Sequence, residues 1–250
     1  MEAIGFETFV FLFGIAFCAG AIDVIAGGGG LLTIPALMLA GISPLQALAT
    51  NKVQSMFSPL YATYFFFKKG MFDFRSLWIA LLFSVCGACF GVMNVGVIDQ
   101  VKLEKMIAIV LGGVALFCLI SPQFPKNDTK PKVRWLGLPF FVCFLGFYDG
   151  FLGAGAGIFL TLMFVILFGM GAIKAVAHAK LFNLASNFAS FCVFALSGWV
   201  IWKIGVVMAI GTILGSLVGS RLVYLHAEKI IKPIVILVAL GMCVKILYLK

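Results

Sequence analysis

Apolar residues come in long unbroken runs along this chain. They cover roughly residues 8–26, 31–49, 53–67, 76–98, 103–121, 135–152, 155–173, 181–197, 200–222 and 231–249. A helix needs about 20 apolar residues to cross the hydrocarbon core, so most runs suffice for one crossing. Strands of a membrane barrel alternate apolar and polar positions, and no such alternation is seen here. The pattern predicts an all-α, polytopic integral membrane protein. It predicts about eight conventional spans, within a range of roughly seven to ten, and one short interrupted segment in each half.

The clearly polar stretch is 121–134, SPQFPKNDTKPKVR, with three prolines and the densest charge. It divides the chain into a first transmembrane repeat (1–120), a linker loop (121–134) and a second repeat (135–250). An offset of 128 places Gly27 on Gly155, Gly29 on Gly157, Thr33 on Thr161, Lys52 on Lys180, Ser58 on Ser186, Gly87 on Gly215 and Gly91 on Gly219. Asp23 meets Asp149 at an offset of 126, two residues shifted across the glycine cluster. Such self-similarity marks an internal duplication.

Cytoplasmic loops of membrane proteins are rich in Lys and Arg. Lys68, Lys69 and Arg75 mark one such loop, Lys126 to Arg134 a second, and Arg221, Lys229 and Lys232 a third. The strong basic loop falls one connection later in the second half than in the first. An odd number of crossings per repeat, and so an inverted second copy, predicts that displacement. The acidic N-terminus then lies outside.

Composition narrows the class further. Hydrophobic residues make up 63% and charged residues 11%, which leaves no polar skin for a soluble fold. The net charge of +9 is accounted for by basic loops, and no polar aromatic face suited to nucleic acid accompanies it. Seven cysteines lie in apolar runs, where they read as packing residues. No metal site, cofactor motif or hydrolase signature is found, and no nucleotide-binding loop. Any transport by such a chain would then draw on an ion gradient or on the substrate's own gradient.

The candidate chemistry lies at the glycines. The first copy runs Asp23 to Gly27-Gly28-Gly29-Gly30 and on to Thr33; the second runs Asp149 to Gly153, Gly155 and Gly157. Each half thus interrupts a hydrophobic segment just after an acid, and paired interruptions point to a transporter site. A helix restarting after glycine offers free N–H groups and a positive dipole end to an anion. Close small-residue packing explains the same glycines. Asp23 and Asp149 are costly inside lipid. They are read either as proton-coupling groups or as structural acceptors for backbone N–H groups or lysines. Lys52 and Lys180 are matching cations that neutralise an anionic substrate, snorkel, or pair with the two aspartates. Asn51, His178 and Asn183 flank them and complete the candidate substrate-binding set; His178 reads equally as a packing residue.

The stretch IDVIAGGGGLLTIPALMLAGISPLQALATNK, with GFYDGFLGAGAGIFL and AVAHAKLFNLASN in the second half, resembles the paired signature of the sulfite exporter TauE/SafE family. That family belongs to the toluene sulfonate uptake permease group. The likeness covers nearly the whole chain. It implies a bacterial inner-membrane permease without enzymatic activity or cofactor. The implied cargo is a small anion, often sulfur-containing, such as sulfite, a sulfonate or sulfoacetate. A channel-like facilitator, or a membrane-embedded enzyme or assembly factor, is the alternative.

Overall fold

A computed structural model describes residues 5–120 and 125–219. Its helices are α1 (Phe6–Ala26), α2 (Gly29–Leu39), α3 (Pro44–Ser55), α4 (Phe57–Lys68), α5 (Phe74–Val95), α6 (Gln100–Ile120), α7 (Leu138–Phe151), α8 (Ala156–Ile166) and α9 (Ala172–Leu196). A further helix, α10, is Trp202–Gly219. No strand occurs among the described residues. Helices α5, α9 and α10, and Phe6–Val24 within α1, are long and apolar enough to cross a membrane. The chain is an all-α polytopic membrane protein. The expected run 231–249 and the basic residues Arg221, Lys229 and Lys232 lie outside the described residues.

The two glycine breaks are the tips of helical hairpins. A Cβ on Gly29 would lie 2.9 Å from the Cβ of Asp23 and 3.1 Å from the Ala19 carbonyl. Further from the turn, Leu12 and Ala16 pack in one cluster with Ala36 and Leu37. So α2 runs back along α1. Gly27 makes the turn with φ 78°, in the left-handed region, which glycine enters without steric cost. With 11 residues, α2 rises about 16 Å, half of the hydrocarbon thickness. In the second repeat α8 runs back along α7: the rings of Tyr148 and Phe159 lie 5.4 Å apart, and those of Phe141 and Phe168 6.4 Å.

This revises the expected spans. The apolar run 31–49 is no crossing of its own. It divides at the turn around Gly41, its first part closing the hairpin and its second becoming α3. Helices α3 and α4 then follow each other with only Met56 between them, in helical conformation. Pro59 accounts for the break, since a proline ring crowds the carbonyl four residues earlier, which belongs to Ser55. Its counterpart in the second repeat is Asn187, and there α9 runs unbroken for 25 residues.

The ends of these helices show the inversion. The ring of Phe72, just after α4, lies 5.9 Å from that of His178, and Trp135, just before α7, lies 6.4 Å from His178. Thus α4 ends where α7 begins. The turn before α3 lies at the far end of the bundle, so the α1–α2 and α7–α8 hairpins enter from opposite ends. Lys68 and Lys69 therefore share an end with the linker, as the positive-inside pattern requires. There Asp128 accepts the Gly171 N–H and bonds to Lys174, each at 2.8 Å. First that N–H and then the lysine hold its carboxyl below the usual carboxylate range.

The repeats interlock. Cβ atoms on Gly87 and Gly91 of α5 would fall 2.1 and 2.2 Å from the carbonyl oxygens of Cys143 and Phe147 in α7. Those on Gly146 and Gly150 would strike the carbonyls of Ser84 and Ala88 at 2.3 and 2.1 Å. The numbers ascend together, so α5 and α7 lie parallel with their backbones touching, the small-residue packing of membrane helices. Helix α10 meets α1 in the same way through Gly211, Gly215 and Gly219 against Phe13, Phe17 and Ala21. Each repeat thus packs its post-break helix on the other repeat's hairpin.

Candidate functional site

The two hairpin tips meet inside the bundle. A Cβ on Gly27 would lie 2.4 Å from the carbonyl carbon of Gly157, and one on Gly157 would lie 2.7 Å from the Cα of Gly27. Backbone rests on backbone, so at these two positions the packing explanation of the glycines holds. Gly155 is held similarly against Val114 of α6, at 2.8 Å. Gly28 and Gly30 have room: the nearest atoms to an added Cβ are side chains at 3.4 Å and the Gly153 carbonyl at 3.5 Å.

Helix starts leave N–H groups without intrahelical partners and carry the positive dipole end. Both α2 and α8 start at this junction. Asp23 Oδ1 accepts the Gly29 N–H at 3.2 Å, while the start of α8 has no side-chain cap. The Thr33 and Thr161 hydroxyls lie 3.1 and 2.8 Å from the carbonyls of Gly29 and Gly157, one turn earlier.

The four charges at the junction pair across the repeats. Lys52 Nζ is 2.8 Å from Asp149 Oδ1 and 3.0 Å from Asn187 Oδ1. Lys180 Nζ is 3.0 Å from Asp23 Oδ2 and also donates to the Asp23 carbonyl. Serines at corresponding positions complete the pattern: Ser58 donates to Asp23 Oδ2 at 2.7 Å, Ser186 to Asp149 Oδ2 at 2.5 Å. Of the readings open from sequence, pairing with the aspartates is what this conformation shows. Lys52 and Lys180 are 2% and 1% exposed, so neither snorkels to an interface. Two ammoniums and two carboxylates leave the centre with no net side-chain charge, as burial in low dielectric demands.

Between the pairs lies a polar cavity of about 10 Å³, near the space one water molecule needs. Asp23, Asp149, Asn51, Ser55, Asn183 and Asn187 border it, with backbone from Gly27, Gly30, Gly153 and Gly157. Asn51 Oδ1 is held by Gln54 Nε2 at 2.7 Å and by the Thr33 hydroxyl at 2.5 Å. Thr212 of α10 in turn donates to Gln54 Oε1.

Most of the expected set converges here: Gly27, Gly30, Asn51, Lys52, Gly153, Gly157, Lys180, Asn183 and both aspartates. His178 does not. Its ring lies among Phe164, Phe72 and Trp135, with centroids 5.5, 5.9 and 6.4 Å away, and Nδ1 is 2.9 Å from the Lys174 carbonyl. It is a packing residue at the linker end. The expectation missed Ser55, Ser58, Ser186, Asn187, Gln54 and Thr212. Ser58 and Ser186 were visible as a repeat-matched polar pair; Asn187 lies one turn beyond Asn183 on the Lys180 face of α9.

Comparison with known proteins supplies the family. A family model described as "Sulfite exporter TauE/SafE" matches residues 12–246. A "Probable membrane transporter protein" of Haemophilus influenzae is 39% identical over 246 residues, covering 98% of this chain and 96% of the relative. The "Probable membrane transporter protein YfcA" of Escherichia coli K12 is 42% identical over 241 residues, covering 95% and 88%. A Bacillus subtilis protein named "Probable membrane transporter protein YjnA" is 25% identical over 222 residues, covering 81% and 85%. No solved structure matches the chain. Spanned almost end to end by the family model and aligned nearly throughout with these relatives, this chain belongs to the sulfite exporter TauE/SafE family of transporters, as a multi-pass protein of the bacterial inner membrane.

Proposed function

We propose that this transporter is a secondary carrier of a small anion of the sulfur-oxyanion or sulfonate class, bound where the two hairpin tips meet. The observation that carries the reading is the crossed pairing of Lys52 with Asp149 and Lys180 with Asp23 around a polar cavity at two helix starts. Both dipoles present their positive ends to this point. The Asn51 and Asn183 amides that border the cavity suit oxyanion oxygens.

In this conformation the site is closed. Each lysine is held by a carboxylate, and the cavity has room for little more than a water. An arriving anion takes the place of a carboxylate beside a lysine. The residues that seal the site are thus the ones that recognise the cargo. The hairpins enter from opposite ends, so rocking one repeat on the other exposes the junction first to one side and then to the other.

The test is uptake of sulfite and of sulfonates into proteoliposomes, expressed per monodisperse protein molecule. Lys52→Ala and Lys180→Ala are expected to weaken anion affinity by roughly tenfold to a hundredfold, the loss of a charged hydrogen bond of about 1.5–3 kcal/mol. Lys68→Ala, at the loop end of α4, should leave it unchanged. Uptake by wild-type vesicles no faster than by empty ones removes this reading.

A further inference from the structure

The two aspartates are matched in the repeat and differ in their access to water. Asp149 side-chain exposure is 2%, that of Asp23 13%. Asp149 borders the central cavity, closed in by Lys52, Ser186 and the continuous helix α9. Asp23 borders that cavity and a second one of about 10 Å³, lined by Gly20, Gly29, Gln54, Ser58 and Thr212. Ser55 and Gly30 border both cavities. Each is sized for about one water, so polar spaces flank the Asp23 carboxylate on two sides. Beside Asp149 the corresponding lining residues differ. Gln54 and Thr212 correspond to Phe182 and Ser84, and the Ser84 hydroxyl has no partner.

We infer that Asp23, and not Asp149, is the residue that binds the proton coupled to anion movement; this rests on the anion-transport reading above. Charge balance supplies the reason. With both pairs intact the centre is neutral. A monovalent anion entering alone would leave one uncompensated negative charge in a buried site, at large desolvation cost. If the Asp23 carboxylate takes one proton from water as the anion arrives, the carboxyl is neutral and Lys180 stays protonated. The anion then occupies the place the carboxylate gave up, and the sum of charges is again zero. One proton and one monovalent anion thus load together, and either alone is disfavoured. Among the described residues, the charged groups facing Asp23 are Lys180 from α9 and, across the shared cavity, Asp149 of α7 with Lys52 of α3. Helices α2, α4 and α10 present neutral groups there: the Gly29 N–H, the Ser58 hydroxyl and, across the second cavity, the Thr212 hydroxyl.

Methanesulfonate is the probe, because it stays ionised at every pH used and any pH effect belongs to the protein. In proteoliposomes the wild type should accumulate it when the outside is made acidic, and should also exchange it for internal methanesulfonate at equal pH. Asp23→Asn, which mimics the protonated acid, should lose acid-driven accumulation. Asp149→Asn removes the same charge from the centre, so transport alone does not tell the two acids apart and the proton site is read spectroscopically. A readout without cargo accompanies this: infrared difference spectra on acidification should show a carboxylic acid carbonyl band that wild type and Asp149→Asn share and Asp23→Asn lacks. Acid-driven accumulation surviving in Asp23→Asn, or a carbonyl band lost in Asp149→Asn instead, overturns the assignment. Wild-type exchange without any response to the gradient overturns the coupling and leaves the anion site standing. Absence of wild-type exchange counts against the anion site itself, and the infrared bands then decide the proton site independently.

Discussion

The Asp149–Lys52 and Asp23–Lys180 pairs are two copies of one arrangement, each with a serine on the carboxylate and a helix start beside it. Their surroundings have diverged. Asn187 in the unbroken α9 bonds Lys52 and Ser55, which seals the first pair. At the matching position Pro59 interrupts α3–α4, and polar Asn51, Gln54 and Thr212 stand where the other repeat has Ala179, Phe182 and Ser84. Symmetry places the charges; the positions that break it decide which pair water can reach.

The strongest way to break this comparison is to remove a lysine. Lys52→Ala leaves Asp149 charged and buried, and breaking such a pair costs about 3–5 kcal/mol. Lys180→Ala should cost visibly less, because Asp23 keeps its Gly29 N–H and Ser58 bonds and is partly open to water. Thermal unfolding of the two variants in detergent compares them directly; equal losses would mean that the pairs are equally sealed. Replacing both partners, Lys52→Met with Asp149→Leu, should recover most of the folding and still abolish transport.

Next in size is the contrast within one glycine run. Gly27→Ala places a Cβ against the Gly157 backbone at a left-handed φ, and should cost about 2–4 kcal/mol. Gly28→Ala meets only side chains at ordinary distance and should cost under about 1 kcal/mol. The yield of monodisperse protein checks both, and a tolerated Gly27→Ala would mean that the tips do not touch.

The smallest effects should differ in sign between copies. Thr212→Val strips a donor from Gln54 and should destabilise by about 1–3 kcal/mol, whereas Ser84→Ala removes an unpartnered hydroxyl and should be neutral or stabilising by about 1 kcal/mol. Denaturation midpoints report both, and losses of the same sign would dissolve the asymmetry.

Much of this molecule was legible in its sequence: the duplication, its inversion, the paired breaks and the buried charges. What escaped was the partner of each charge. A repeat alignment says which residues correspond, and nothing in it says that Lys52 meets the acid of the other copy. His178 was grouped with Lys180 by nearness in sequence, yet two residues along a helix turn a side chain about 200° away. Asn183 and Asn187 are three and seven residues on from Lys180, close to its own face by the same count. The turn within 31–49 is not legible, because the apolar run continues through Gly41 and hydropathy alone does not register a change of direction.

The crossed ion pairs make the protein an antiparallel dimer whose subunits happen to share one backbone. A half-length chain produced alone would hold a lysine in its interior with no acid to meet it, and would turn the bare glycine ridge of α5 toward lipid. A second half-chain inserted upside down would remedy both faults, lending its acid and taking one in return. Joining the two through the linker secures that stoichiometry and also releases the copies from sameness. Once fused, one subunit can keep a proline where the other keeps an asparagine, and a symmetric assembly becomes one with a wet side and a dry side.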